Sequence, residues 1–379
     1  MSHAPTGLLE QRHRRVREGL AALSLDALVV TALPNVLYLT NFSGSAAIAL
    51  VTRDRLIFIT DFRYVTALSD ARGRSYECPD LDLVVVRGEY DTTLAAALGA
   101  MPSARVGFEA AHLSVARHDW LMRTLAAGPG GPALVATEGL VERLRTRKDA
   151  YELGVLKEAA RRLSGVCSKV FELVGRNRTE REIALEIDGV IRRAGFERPA
   201  FETIVASGPN AALPHARPGE RRLTEGDLVV LDFGGVYDSY CVDLTRTVSV
   251  GPASERAREV HAAVLKAHDR AIAVCGPGRS RFAIDGAARQ ALSEAGMADA
   301  FGHGTGHGLG IEVHEDPRIT WARGDGDGPS DAVSAGMVFT IEPGAYFPGW
   351  GGVRIEDDVA VTETGVDVLT DATRKLLEI

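Results

Sequence analysis

The chain is poor in cysteine. Its 379 residues hold four, Cys78, Cys167, Cys241 and Cys275, none in a C-x-x-C spacing. That scarcity excludes a disulfide framework and a zinc knuckle, and it fits a reduced compartment with free thiols. Long apolar runs are missing too: none approaches the roughly 18 residues that a bilayer span needs. The opening MSHAPTGLLEQRHRR puts its basic residues after a short apolar pair, which is not the order of a secretory leader. A cytoplasmic location with no membrane partner is therefore expected. Excess basic charge is the third absence. A formal net charge of −8 offers no footprint for nucleic acid. What remains, 45% hydrophobic and 25% charged residues, is the make-up of a soluble globular protein. The length favours two domains.

The first part alternates a basic amphipathic helix, Leu8 to Leu23, with strand-length apolar runs at Ala27–Thr31, Ala46–Thr52 and Leu56–Thr60. Pro34, Asn35, Gly44 and the Arg53–Arg55 turn punctuate them. This predicts an α/β domain with a mixed sheet. The Gly128–Pro132 cluster marks a loop, and the boundary is set at residues 1–140 and 141–379.

The second part has another rhythm. Leu153, Leu156, Ala160, Leu163, Cys167, Val170 and Val174 step by three and four, as on one face of a helix. A second helix starts at Thr179, where T-E-R-E is a capping box with Glu182. Strands follow at Gly226–Phe233 and Tyr240–Val250. The pattern then restarts, with helices from Ser254 to Val274 and within Arg281–Ala295, and more strand-like runs. No residue-level repeat is visible. The order of elements still predicts an α+β domain of two αα-ββ units, one antiparallel sheet covered by helices.

Phe301 to Pro317 reads FGHGTGHGLGIEVHEDP and packs three of the ten histidines, His303, His307 and His314, into twelve residues. His303 and His307 stand four apart, as in a helical zinc motif. Five alternating glycines forbid that helix, since each costs about 1 kcal/mol relative to Ala. The segment is expected to be extended or irregular, with His303 and His307 on one side.

Acids interrupt the predicted strands. Asp232 shares a face with Leu228 and Val230, and Asp243 with Cys241 and Thr245. Glu342 ends the run Met337–Ile341, and Glu356 shares a face with Arg354. An unpartnered buried carboxylate would protonate rather than stay charged. Four of them beside a histidine call for a shared cation. Four negative charges and a neutral His307 are cancelled by two divalent ions. Oxygen-rich ligation with one imidazole favours Mn²⁺, while Co²⁺, Fe²⁺ and Zn²⁺ satisfy the same coordination. Such a pair activates water and polarises a carbonyl, which is hydrolytic chemistry.

Asp232, Asp243, His307, Glu342 and Glu356, set in LDFGG, DLTRT, GHGTGHGLG, TIEPG and VRIED, resemble the metallopeptidases of the pita-bread fold over residues 150–379. LVVTALPNVLYLTNFSGS resembles the creatinase-type N-terminal domain of aminopeptidase P and prolidase. The resemblance implies an Xaa-Pro peptidase acting on small proline-containing peptides, and a homodimer. It implies that Asp232 holds one ion, that His307 and Glu342 hold the other, and that Asp243 and Glu356 bridge them. It casts Glu342 as the proton shuttle and His314 as donor to the scissile carbonyl or its oxyanion. His303 and His215 would line the proline side, Arg354 would orient carboxylates, and Tyr346 would line the site.

An Xaa-Pro dipeptidase is slightly favoured. It must capture a free carboxylate with a basic residue, for which Arg217 or a residue of a partner's N-terminal domain is available. The alternatives are an aminopeptidase P acting on longer peptides, a metal-free creatinase-like amidinohydrolase, and an inactive binding module. The last two are disfavoured because all five expected ligands are present.

Overall fold

A computed structural model describes residues 3–126, 130–322 and 331–379. Gly128 and Pro129 of the expected loop lie outside the described residues. The chain divides into two compact units, Met1–Arg145 and Thr146–Ile379. No described helix is long and apolar enough to cross a membrane, and the four cysteines are free and buried.

The first unit holds a six-stranded mixed sheet in the order Leu81–Val86, Leu56–Asp61, Ile48–Thr52, Ala27–Val30, Arg105–Glu109 and Ala133–Thr137. Ala27–Val30 pairs antiparallel with Ile48–Thr52 and parallel with Arg105–Glu109. The predicted α/β domain and its three strands are present, and the first helix spans Thr6–Ala22. Pro34 and Asn35 do not punctuate a loop. They open the helix Leu33–Thr40, with Pro34 in its first turn, where proline has no backbone bond to lose. Glu109 caps that helix by accepting from the backbone N–H groups of Thr31 and Ala32 at 2.7 and 2.8 Å.

The second unit has the predicted doubled order. Helices Ala150–Leu173 and Glu180–Arg193 precede the long hairpin Leu228–Tyr237 and Tyr240–Ser249. Helices Glu255–Val274 and Arg281–Glu294 precede the strands from Gly306 onward. Each helix pair buries its apolar face mainly on the strands that follow it, and two core clusters result. Leu156, Leu163, Ile183 and Ile187 pack on Leu231, Phe233 and Leu244, whereas Val260, Val264, Ile284 and Ala288 pack on Phe339, Ile341 and Val359. At the Thr179 capping box, Thr179 Oγ1 accepts from Glu182 N–H at 3.1 Å, and Glu182 accepts from Thr179 N–H at 2.7 Å. Leu153 is only partly buried. Glu152 takes its place on the inner face, accepting from Tyr240 Oη at 3.2 Å.

The expectation of one antiparallel sheet is corrected to two five-stranded sheets and a hairpin. The first sheet also contains a parallel pair, Tyr240–Ser249 with Leu377–Glu378. The sheets meet where strand Tyr240–Ser249 approaches Glu356–Asp358, and side chains supply much of the join. Glu356 N–H donates to Thr245 O at 3.1 Å, and Asp243 N–H donates to Asp358 Oδ2 at 3.0 Å. The buried Arg246 guanidinium donates to Thr245 O at 2.9 Å, Glu356 O at 2.5 Å and Asp357 Oδ1 at 2.8 Å.

The glycine-rich segment is extended as expected, forming the short strand Gly306–Gly308. None of its five glycines takes a positive φ, and at Gly304, Gly306 and Gly308 the reason is close approach of neighbouring backbone. A Cβ on Gly306 would fall on the Thr340 carbonyl oxygen, and one on Gly308 on that of Asp316. Both obstacles are backbone of neighbouring strands. Gly306→Ala is therefore expected to lower stability by about 1–3 kcal/mol, the cost of overpacking a tight site. Urea denaturation of the variant measures this, and an unchanged midpoint would contradict the close approach.

Candidate metal centre

Strand register brings the first acids together. Asp232 lies opposite Thr245 in the long hairpin, and opposed residues of an antiparallel pair share a face. Asp243 precedes Thr245 by two, so alternation places it there as well. The second sheet contributes His307 from Gly306–Gly308. Glu342 and Glu356 were expected on strands but lie just beyond strand ends, after Val338–Ile341 and Gly351–Arg354. There the backbone is held by non-ladder bonds: Glu342 N–H donates to Thr305 O at 2.7 Å, and Glu356 N–H to Thr245 O.

Asp243, His307 and Glu356 are all buried, and each offers a ligand atom within 4.8 Å of the others. Glu342 Oε1 stands 3.7 Å from His307 Nε2. Asp232 joins them through Arg354, which pairs with Asp232 Oδ2 and reaches Thr245 Oγ1 at 3.3 Å. Thr245 Oγ1 in turn donates to Glu356 Oε2 at 2.6 Å. All five residues line one cavity of about 1080 Å³, together with His215, His303, His314 and Arg354. His215 and His314 are exposed at it, and the His314 ring lies 4.4 Å from that of His307.

The histidine tautomers are set by carbonyl acceptors. His307 Nδ1 is 3.1 Å from Gly308 O, so Nδ1 carries the proton and Nε2 is left as a donor atom for a cation. His303 Nδ1 likewise donates to Gly304 O at 2.7 Å. Its Nε2 accepts from Tyr346 Oη at 2.9 Å, while Tyr346 Oη accepts from Arg354 at 3.0 Å. Tyr346 is thus buried as a link between Arg354 and His303, two residues of the cavity lining. Burial holds His307 neutral, with its pKa pushed down to about 3, the neighbouring His314 adding to the effect. Burial pushes His303 down to about 4 and lowers His314 too.

The acids shift the other way. Burial raises Asp243 well above the carboxylate range, and Glu356 and Asp232 beside it raise it further. Burial likewise raises Glu356, with Glu342 and Asp232 adding to it. Glu342 is pushed up to about 7, burial outweighing the favourable Arg354. Asp232 Oδ1 is buried without a hydrogen-bond partner. Converging acids, an orphaned carboxylate oxygen and a neutral imidazole nitrogen fit a divalent cation. They do not fit a packed protein core.

Two residues of the site have no role assigned from sequence. Thr245 was placed on the Asp243 face but given no role. Arg318 lies opposite His307 in register and lines the cavity, and no described carboxylate pairs with its side chain. The nominated Arg217 also lines the cavity, exposed, with its Nε 3.6 Å from Glu202 Oε2. Only the register of Gly306–Gly308 on Glu315–Ile319 reveals Arg318, and nothing local in HEDPRI signals it.

Comparison with known proteins adds an independent line. Residues 154–363 match the model of metallopeptidase family M24, and residues 12–147 match that of the creatinase/prolidase N-terminal domain. The chain is 34% identical to the uncharacterized peptidase YqhT of Bacillus subtilis over 96% of its length and 98% of the relative's. Its structure is similar to that of an Xaa-Pro dipeptidase from Bacillus anthracis, with a TM-score of 0.90, 32% identity, and 98% and 100% of the two chains covered. It is also similar to an X-Pro aminopeptidase from Thermotoga maritima, with a TM-score of 0.83, 31% identity, and 94% and 98% covered.

A carboxyl whose folded pKa lies above its unfolded value binds more protons in the folded chain. Its stabilising contribution is complete below the unfolded pKa and is lost as pH rises through the folded one. For Glu342 that window runs from 4.5 to about 7. Cation-free protein is expected to melt at falling temperature as pH rises across it. Added Mn²⁺ should raise Tm, and by more above the window than below it. Calorimetry across the window checks this, and a Tm indifferent to both pH and Mn²⁺ would contradict it.

Proposed function

The chain belongs to metallopeptidase family M24, and from that premise we propose that it is an Xaa-Pro dipeptidase using two divalent cations, with Mn²⁺ favoured. The observation that carries the reading is the buried convergence of Asp243, His307 and Glu356, ligand atoms within 4.8 Å of one another, at the floor of a cavity large enough for a dipeptide. Asp232, Asp243, His307, Glu342 and Glu356 would hold the cations. Bound there, they supply Lewis acidity that makes water nucleophilic near neutral pH and polarises the peptide carbonyl.

The side chains divide the remaining work. Glu342 is the most exposed of the four acids, so it meets cavity water and takes the role of proton shuttle. His314 stands at the cavity beside His307 and, kept neutral, donates an N–H toward the carbonyl oxygen as charge develops there. His303, fixed by Gly304 O and Tyr346, lines the proline side with His215. Arg354 orients Asp232, and Thr245 orients Glu356.

Arg318 supports the dipeptidase reading. A dipeptide ends in a carboxylate one residue beyond the scissile bond, and Arg318 is a guanidinium on the cavity wall that no described carboxylate pairs with. The similarity to an X-Pro aminopeptidase favours a second reading, in which longer peptides extend past this wall. The proposal includes a cytoplasmic homodimer.

Mn²⁺-loaded enzyme is expected to hydrolyse Xaa-Pro dipeptides much faster than Xaa-Pro-Yaa-Zaa tetrapeptides, and exhaustive chelation should abolish both activities. Arg318→Met should raise KM for the dipeptide by roughly 10-fold or more, the loss of one charged contact, with little change for tetrapeptides. Efficient tetrapeptide cleavage insensitive to Arg318 would transfer the function to the aminopeptidase. Full activity after chelation would end both peptidase readings.

A further inference from the structure

The histidine segment raises a mechanical problem. A stretch in which every second residue is glycine has few side chains with which to anchor itself, yet it must present His303 and His307 in fixed positions. Helix Arg281–Glu294 supplies the anchor through two residues one turn apart, Asp285 and Arg289. Arg289 Nε is 2.6 Å from Asp285 Oδ2, and a terminal nitrogen is 3.2 Å from Oδ1. Asp285 is buried, and its Oδ1 also accepts from Thr305 N–H at 3.1 Å and Thr305 Oγ1 at 2.9 Å. Arg289 donates to Phe301 O at 3.0 Å and to His303 O. Its guanidinium lies 4.4 Å from the Phe301 ring centroid and 4.5 Å from that of Trp321, which lines the cavity.

One ion pair therefore grips the backbone on both sides of His303. Thr305, held by Asp285, passes the constraint on, because Thr305 O accepts the backbone N–H of Glu342. The planar fork of arginine matches this set of acceptors, one carboxylate and two carbonyls. A lysine ammonium has fewer donors and no plane to direct them.

We propose that Asp285 and Arg289 are positioning residues for turnover, setting the reach of His303 and, through Thr305, of Glu342. The inference rests on the peptidase reading only where activity is the readout. Arg289→Lys keeps the charge and loses the fork. Hydrogen exchange followed by mass spectrometry should show faster exchange in peptides covering 301–307, with helix Glu255–Val274 unchanged. In the Mn²⁺-loaded enzyme, kcat on an Xaa-Pro dipeptide should fall roughly 10- to 100-fold, as sub-ångström misplacement produces, while KM stays within about 3-fold. His303→Ala should cost much less in the Arg289→Lys background than in the wild type, since both changes remove the same placement.

Unchanged exchange over 301–307 would overturn the proposal, and so would full multiplication of the two kcat losses. If Arg289→Lys does not fold, Asp285→Asn, which leaves the carbonyl contacts of Arg289 in place, is held to the same two readouts. A wild-type enzyme inactive on proline dipeptides would sink the functional reading alone. The exchange measurement would still decide the clamp.

Discussion

Four carboxylates turned toward one cavity repel one another, and the second unit is built around that repulsion. Two unit charges about 4 Å apart interact with roughly 4 kcal/mol at the effective dielectric of a protein site. Burial adds a desolvation penalty for each charged acid. Such an arrangement persists in two ways, by taking up protons or by taking up cations. The raised pKa values of Asp243, Glu342 and Glu356 describe the first, and the neutral His307 nitrogen among them equips the site for the second.

The fold accommodates the acids by splitting. A single sheet across this region would need a complete ladder through Asp243 and Glu356. Two sheets instead meet along the acidic seam, and buried Arg246 and Arg354 bind carboxylates and carbonyls from both. Each helix pair packs on a core cluster of its own, drawn mainly from the strands that follow it, so stability is supplied away from the chemistry. A rigid scaffold can then hold a frustrated centre, as functional sites often require.

Much of this was legible in the sequence because it rests on periodicity and punctuation. The three- and four-residue steps of Leu156, Ala160, Leu163 and Cys167, the Thr179 capping box and the alternation around Asp232 and Asp243 are local signals with local causes. The glycine count ruled out a helix at His303 and His307, although Gly306 and Gly308 are needed to clear the Thr340 and Asp316 carbonyls and not for unusual φ angles. Features that depend on register or long-range contact were hidden. Arg318 acquires its place by pairing opposite His307, and Arg289 by reaching over to Phe301 and His303. Pro34 misled because proline serves equally in a turn and in the first turn of a helix. The split sheet was invisible because strand composition does not say which strands lack a continuous ladder.

The most direct measurement is anomalous diffraction from crystals grown with Mn²⁺. Metal density is expected among Asp243, His307, Glu342 and Glu356, with a second site reached by Asp232. A map without anomalous density at these carboxylates, from protein that still cleaves proline peptides, would contradict the central claim.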